Sequence, residues 1–290
     1  MAERDLLFAV RNNFYLGAYN TVIQEASDLE TLSDAEKIDR DVYVYRSYVA
    51  LGSYELVISE IRESSAMALQ AVKLLAQHLS GKKSKDQVTA TLTEWMTDSA
   101  CNRNPGVLLM CGIIHAQEGN FVEALKACHT GITLEMSALC VQVYLKMDRL
   151  DKAESQLKAM TSSDDDATIT QLATAWVGVA VGGAKVQEAS YIFQELGDKY
   201  NWTASLYNGR AVCAMKAGQW EDAERDLLDA MNKDAKDPDT LANLVTVGLH
   251  LSKNVTRYTT QLKQLAPSHP TSKRLQLGED LFDRATASMA

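Results

Sequence analysis

The chain has 290 residues, 46% of them hydrophobic, and 29 basic residues stand against 38 acidic ones for a net charge of −9. Such a surface is a poor match for nucleic acid or an anionic bilayer, and no apolar run approaches the roughly 20 residues of a membrane-spanning helix. Five cysteines without a C-x-x-C pair argue against a disulfide framework and for a reducing compartment.

Four prolines and fifteen glycines are all that interrupt the chain, which predicts far more helix than the usual third or so. The start, Met1-Ala2-Glu3-Arg4-Asp5, does not read as a signal peptide, because charges of both signs precede only a short apolar patch. Helices are expected over 3–13 and 19–29, turning at Gly17 and carrying Tyr19, Val22, Ala26 and Leu29 at a one-sided helical spacing. Ser33-Asp34-Ala35-Glu36 is a capping signal. It opens a helix with Tyr43, Tyr45 and Tyr48, which cannot all face one way, so at least one should line a groove or the surface. Gly52 marks the next turn.

From Gly52 to Gly119 the distance is about two repeats of roughly 34 residues, so a degenerate helix pair should hide there, over 65–79 and 86–98. The joint, 80–85, holds Gly81-Lys82-Lys83-Ser84-Lys85. This cluster lacks the earlier glycine and the strand of a phosphate-binding loop and reads as a solvated turn. Asn104-Pro105-Gly106 begins another helix. Gly119, Phe121, Ala124, Cys128 and Gly131 then repeat the first pattern. A clipped helix over 133–146 leads to a weaker turn at Asp148, supported by Leu150, Ala153, Leu157 and Met160. Ser162-Ser163-Asp164-Asp165-Asp166 is a polar connector suited to helix capping, and 173–181 is a buried helix. Another weak turn is placed at Ala184, with Val186, Ala189, Phe193 and Leu196 behind it.

The strongest match follows: Gly218, Trp220, Ala223, Leu227 and Ala230. Glycine opens the tight turn, the aromatic packs back on the preceding helix, and alanine lets the two helices approach. Lys236-Asp237-Pro238-Asp239 links to the last pair, Pro267 and Pro270 end the array, and a capping helix over 271–287 carries Leu275, Leu281 and Phe282. The expected fold is all-α: a right-handed, tetratricopeptide (TPR)-like superhelical solenoid of antiparallel helix pairs. It is read as one domain over 1–290, with about seven pairs over 3–266 and the C-terminal cap.

Catalytic and metal signals are weak. Neither H-E-x-x-H, G-x-S-x-G nor G-x-G-x-x-G occurs. Cys111 and His115 share a helix face and would need Cys128 or His129 to complete a zinc set, but both cysteines fall at core positions and read as buried thiols. No enzyme, metal or cofactor is expected.

TPR arrays bind along the concave face lined by the first helix of each pair. Counting back from the turn anchors places Leu7, Arg11 and Phe14 there, then Val42, Arg46 and Val49, then Leu109, Ile113 and Ala116. Gln142 and Leu145 follow, then Thr174 and Gly178, then Asn208, Val212 and Met215. Many are aliphatic, whereas a clamp for charged peptide ends would be rich in lysine, arginine and asparagine. A lining this apolar calls for cover. A long, largely hydrophobic partner segment is therefore expected, and closure of the superhelix on itself is the alternative. A soluble adaptor or co-chaperone that reversibly clamps peptide tails is the second functional reading.

Several stretches carry a closer likeness: Phe14-Tyr15-Leu16-Gly17-Ala18-Tyr19; Asp41-Val42-Tyr43-Val44-Tyr45-Arg46-Ser47-Tyr48; Asn104-Pro105-Gly106 through Gly112-Ile113-Ile114-His115-Ala116-Gln117-Glu118-Gly119-Asn120-Phe121; Gln171-Leu172-Ala173-Thr174-Ala175-Trp176-Val177; and Tyr191-Ile192-Phe193-Gln194-Glu195-Leu196. Together they resemble the epsilon subunit of coatomer, the coat of COPI vesicles, from about Asp5 to His269. The resemblance implies a non-enzymatic coat subunit in the cytoplasm, peripheral on the cytosolic face of Golgi membranes and COPI vesicles. It implies a role in retrograde Golgi-to-ER and intra-Golgi traffic. The implied direct partner is the C-terminal region of the alpha subunit, with no nucleic acid and only indirect membrane association.

Overall fold

The computed structural model describes residues 5–289, and among them form seventeen α-helices and no strand. Packing divides the chain, read above as one domain, into two compact units that part between Val181 and Gly182. The first unit holds five antiparallel pairs: α1 (Phe8–Leu16) with α2 (Tyr19–Ser27), α3 (Asp34–Ala50) with α4 (Tyr54–Glu60), and α5 (Met67–Leu79) with α6 (Lys85–Thr97). These continue as α7 (Pro105–Gln117) with α8 (Phe121–Cys128) and α9 (Leu134–Lys146) with α10 (Leu150–Ser163), and α11 (Thr168–Val181) ends the unit. The second unit holds α12 (Ala184–Lys199), α13 (Ala204–Lys216) with α14 (Trp220–Lys233), α15 (Pro238–His250) with α16 (Thr256–Leu265), and α17 (Pro270–Met289).

The turns repeat because their backbone chemistry repeats. Gly17, Gly52, Gly119 and Gly218 all take positive φ, between 75 and 83°, where a side chain is disfavoured and glycine is not. Around each, the next residue's N–H reaches back to close the helix end: Ala18 to Asn13 O at 2.9 Å, Asn120 to His115 O at 2.8 Å, Gln219 to Ala214 O at 2.9 Å. This is the Schellman closure. The turn after α9 makes the same bond, Arg149 N to Tyr144 O at 2.9 Å, around Asp148 at φ 55°. The turn after α15 makes it around Ser252, also at φ 55°. Glycine is thus helpful but not required, and Ser252 gave no signal in the sequence.

The helix-B side of the pattern is equally regular. Val22, Ala124, Ala153, Ala189 and Ala223 occupy equivalent places and are all fully buried. The close approach they allow is seen at Gly112, where an added Cβ would collide with Cys128 Sγ and lie 2.9 Å from Leu139 Cδ2.

The degenerate pair lies at α5 and α6, and the clipped helix is α9, capped by Thr133. The turn placed at Ala184 needs correction. The positive-φ residues are Gly182 and Gly183, and Ala184 is the first residue of α12. The core register of Ala189, Phe193 and Leu196 is unaffected; α12 is simply longer at its start. The expected start of the first helix at Glu3 lies outside the described residues. α17 follows α16 and is tied to it by Ser272 Oγ donating to Ala266 O at 2.8 Å and by Lys263 pairing with Glu279. Its Leu277, Leu281 and Phe282 are exposed.

Candidate functional site

The inner face of the first unit encloses a cavity of about 440 Å³ built by the first helix of nearly every pair. Arg11 and Tyr15 come from α1, Val42, Tyr43 and Arg46 from α3, Leu109 from α7, Glu135 from α9 and Ile169 from α11. Within this unit the first inner helix meets the last: Thr168 Oγ1 at the start of α11 donates to Asn12 Oδ1 on α1. That contact spans most of the unit's sequence, and repeat-to-repeat stacking alone does not require it.

The floor of the cavity is polar and satisfied. Arg46, 7% exposed, donates from Nη1 to Glu135 Oε2 at 3.1 Å and from Nη2 to Glu135 Oε1. Its guanidinium lies 4.4 Å from the centre of the Phe14 ring, a cation–π arrangement. Tyr15 and Tyr43 hydroxyls are 3.1 Å apart, and Tyr15 also reaches Glu135 Oε2 at 3.5 Å. Burial opposes the charge on Arg46, but the Glu135 carboxylate outweighs it and holds the guanidinium protonated. Burial, reinforced by that carboxylate, pushes the Tyr43 phenol up to about 12 and the Tyr15 phenol higher still.

The expected groove residues fall into three groups. Leu7, Val42, Arg46, Val49, Leu109, Ala116, Gly178 and Asn208 are buried by the protein itself. Arg11, Phe14, Ile113, Leu145, Thr174, Val212 and Met215 are half-buried, and Gln142 is exposed. Arg11 is held by Asp5. Asn208, in the second unit, binds Asp237 Oδ2 at 3.1 Å and Thr240 Oγ1 at 2.6 Å and accepts from Asn243 at 3.0 Å, so it locks α13 to α15. The cavity brings together only Arg11, Val42, Arg46 and Leu109 from the expected set. The other lining residues include Asp39, Gly106 and Glu135. They occupy the same early slot of α3, α7 and α9, and Ile169 takes that slot in α11 once the turn is moved to Gly182. The repeat register therefore held the signal; the missing step was extending the count to the start of each helix.

Cys111 and Cys128 lie buried at the core positions read for them, as do the other three cysteines, and burial pushes Cys111 and Cys128 up to about 12.

This arrangement defines a class: a TPR-type helical repeat protein with a recess lined by the inner helices of its first unit. The fold is shared with a TPR protein from Parabacteroides merdae, at a TM-score of 0.61 and 16% identity over 89% of this chain and 97% of that one. It is also shared with the Thermus thermophilus TPR protein TTC0263, at a TM-score of 0.54 and 14% identity over 62% of this chain and all of that one. The family is resolved by sequence. The profile of the coatomer epsilon subunit matches residues 3–290. Coatomer subunit epsilon-1 of Oryza sativa subsp. japonica is 52% identical over the full length of both chains, and coatomer subunit epsilon of Dictyostelium discoideum is 32% identical over 96% of this chain and 97% of its own. The chain belongs to the coatomer epsilon subunit family and is a component of the COPI coat.

Proposed function

We propose that this chain is a non-enzymatic structural subunit that binds and stabilises the C-terminal region of the coatomer alpha subunit, serving retrograde Golgi-to-ER and intra-Golgi transport. The observation that carries this reading is the recessed cavity on the inner-helix face of the first unit, in a chain whose family is a coat component. The acidic balance of the chain disfavours direct attachment to anionic lipid, and no helix among the described residues is long and apolar enough to cross a membrane. Its place is then the cytoplasm and the cytosolic face of Golgi membranes and COPI vesicles, reached through the rest of the coat.

The adaptor alternative needs free basic clamps for a peptide carboxylate. The two arginines in the cavity are already engaged, Arg46 by Glu135 and Arg11 by Asp5. This favours a lasting subunit contact over a carboxylate clamp. Co-expression with the alpha subunit tests the reading. A stoichiometric complex that survives gel filtration, and a higher melting temperature for this chain in it, are expected. Separate elution of the two chains at micromolar concentration would refute it.

A further inference from the structure

The cavity is graded in chemistry from floor to rim, and the grading specifies what fits it. At the floor, Arg46, Glu135, Tyr15 and Tyr43 satisfy one another, so a charged group brought there would lose water and gain no partner. The walls are apolar: Val42, Leu109, Leu134 and Ile169 line them, and Phe8 stands half-exposed at the edge. A space of about 440 Å³ bounded this way accepts a large aliphatic or aromatic side chain.

The rim is acidic on balance. Asp5 and Arg11 cancel each other. Asp39 and Asp164 also line the opening, and neither has an ion pair among the described residues. Asp164 only accepts the Ala167 N–H at 3.0 Å. Burial pushes the Asp39 carboxyl up, nearby Arg11 draws it back, and the like charge of Glu36 adds to the rise. The first unit also carries nearly all of the chain's net negative charge.

We infer that the cavity is the seat of one large apolar anchor residue on a partner segment, and that lysine or arginine residues flanking this anchor pair with Asp39 and Asp164 at the rim. The inference rests on the alpha-subunit reading above and adds the chemistry of the contacting segment. Charge at the rim governs encounter and ionic-strength dependence, while the anchor governs residence.

The test is calorimetric titration of the full-length chain with the purified alpha subunit at low and at high ionic strength. Two variants are compared with wild type. Asp39→Asn with Asp164→Asn removes both charges and keeps an acceptor for the Ala167 N–H ahead of α11. Ala167→Phe fills the cavity from its wall. The charge variant is expected to bind about tenfold more weakly at low ionic strength, with the gap closing at high ionic strength as screening removes the term. The filled variant is expected to lose about tenfold or more at both. Unchanged affinity of the charge variant at low ionic strength overturns the basic flanks, and it remains a test even where Ala167→Phe impairs folding. Unchanged affinity of a folded Ala167→Phe variant overturns the anchor. Absence of binding by the wild-type chain instead overturns the alpha-subunit reading itself.

Discussion

Arg46 on α3 and Glu135 on α9 form a buried ion pair across the interior of the first unit, at 7% and 14% side-chain exposure. The pair joins repeats that are not neighbours in sequence. A buried pair of this kind adds little stability over a well-packed apolar substitute, yet removing one partner strands the other. Glu135→Ala should therefore cost about 3–5 kcal/mol, while Arg46→Met combined with Glu135→Leu should recover most of that loss. Urea denaturation of the three proteins checks this. A double variant no more stable than Glu135→Ala would show that the loss does not come from a stranded partner.

Helix approach should be just as sensitive. Gly112→Ala places a methyl against Cys128 Sγ and Leu139, between helices already in contact through buried Ala124. Overpacking of this sort costs about 1–3 kcal/mol. Ala124→Trp should cost at least as much. Melting temperatures measured by circular dichroism would read both; an unchanged value for Ala124→Trp would mean that α7 and α8 do not approach as described.

Alkaline pH should unfold the first unit early. An exposed tyrosine titrates near 10, whereas burial holds Tyr43 protonated up to about 12. The unfolded chain then releases its proton first, so stability is complete below pH of about 10 and falls as pH rises towards about 12. Tyr43→Phe should flatten this fall in a melting-temperature series. An equal alkaline slope in wild type and variant would contradict the burial of that hydroxyl.

Thiol chemistry offers a further check. Cys111 and Cys128 are pushed up to about 12, and Cys140 and Cys213 to about 11, in each case chiefly by burial. The thiolate is the reactive form, so these four should resist a neutral-pH alkylating reagent in the native protein and react together in denaturant. Rapid native labelling of Cys128, located by peptide mapping, would mean that the core between α7 and α8 opens readily.

The sequence by itself determined the local grammar of this protein. A residue tolerant of positive φ, an aromatic or aliphatic side chain two places on, and a buried small residue after it specify a helical hairpin, because all of these contacts lie within one repeat. That grammar located α13 and α14 from Gly218 and Ala223, and the degenerate α5–α6 pair from the spacing of better ones. It found the non-glycine turn at Asp148 from the residues behind it, but it missed the one at Ser252 and misplaced the turn where Gly182 and Gly183 stand ahead of the core register. The tertiary structure decided the rest. Whether Thr168 meets Asn12, whether Arg46 finds Glu135, and how much of the inner lining is already covered all depend on curvature accumulated over several repeats. A small rotation per repeat sums to closure or to an open groove, and no single hairpin encodes that sum.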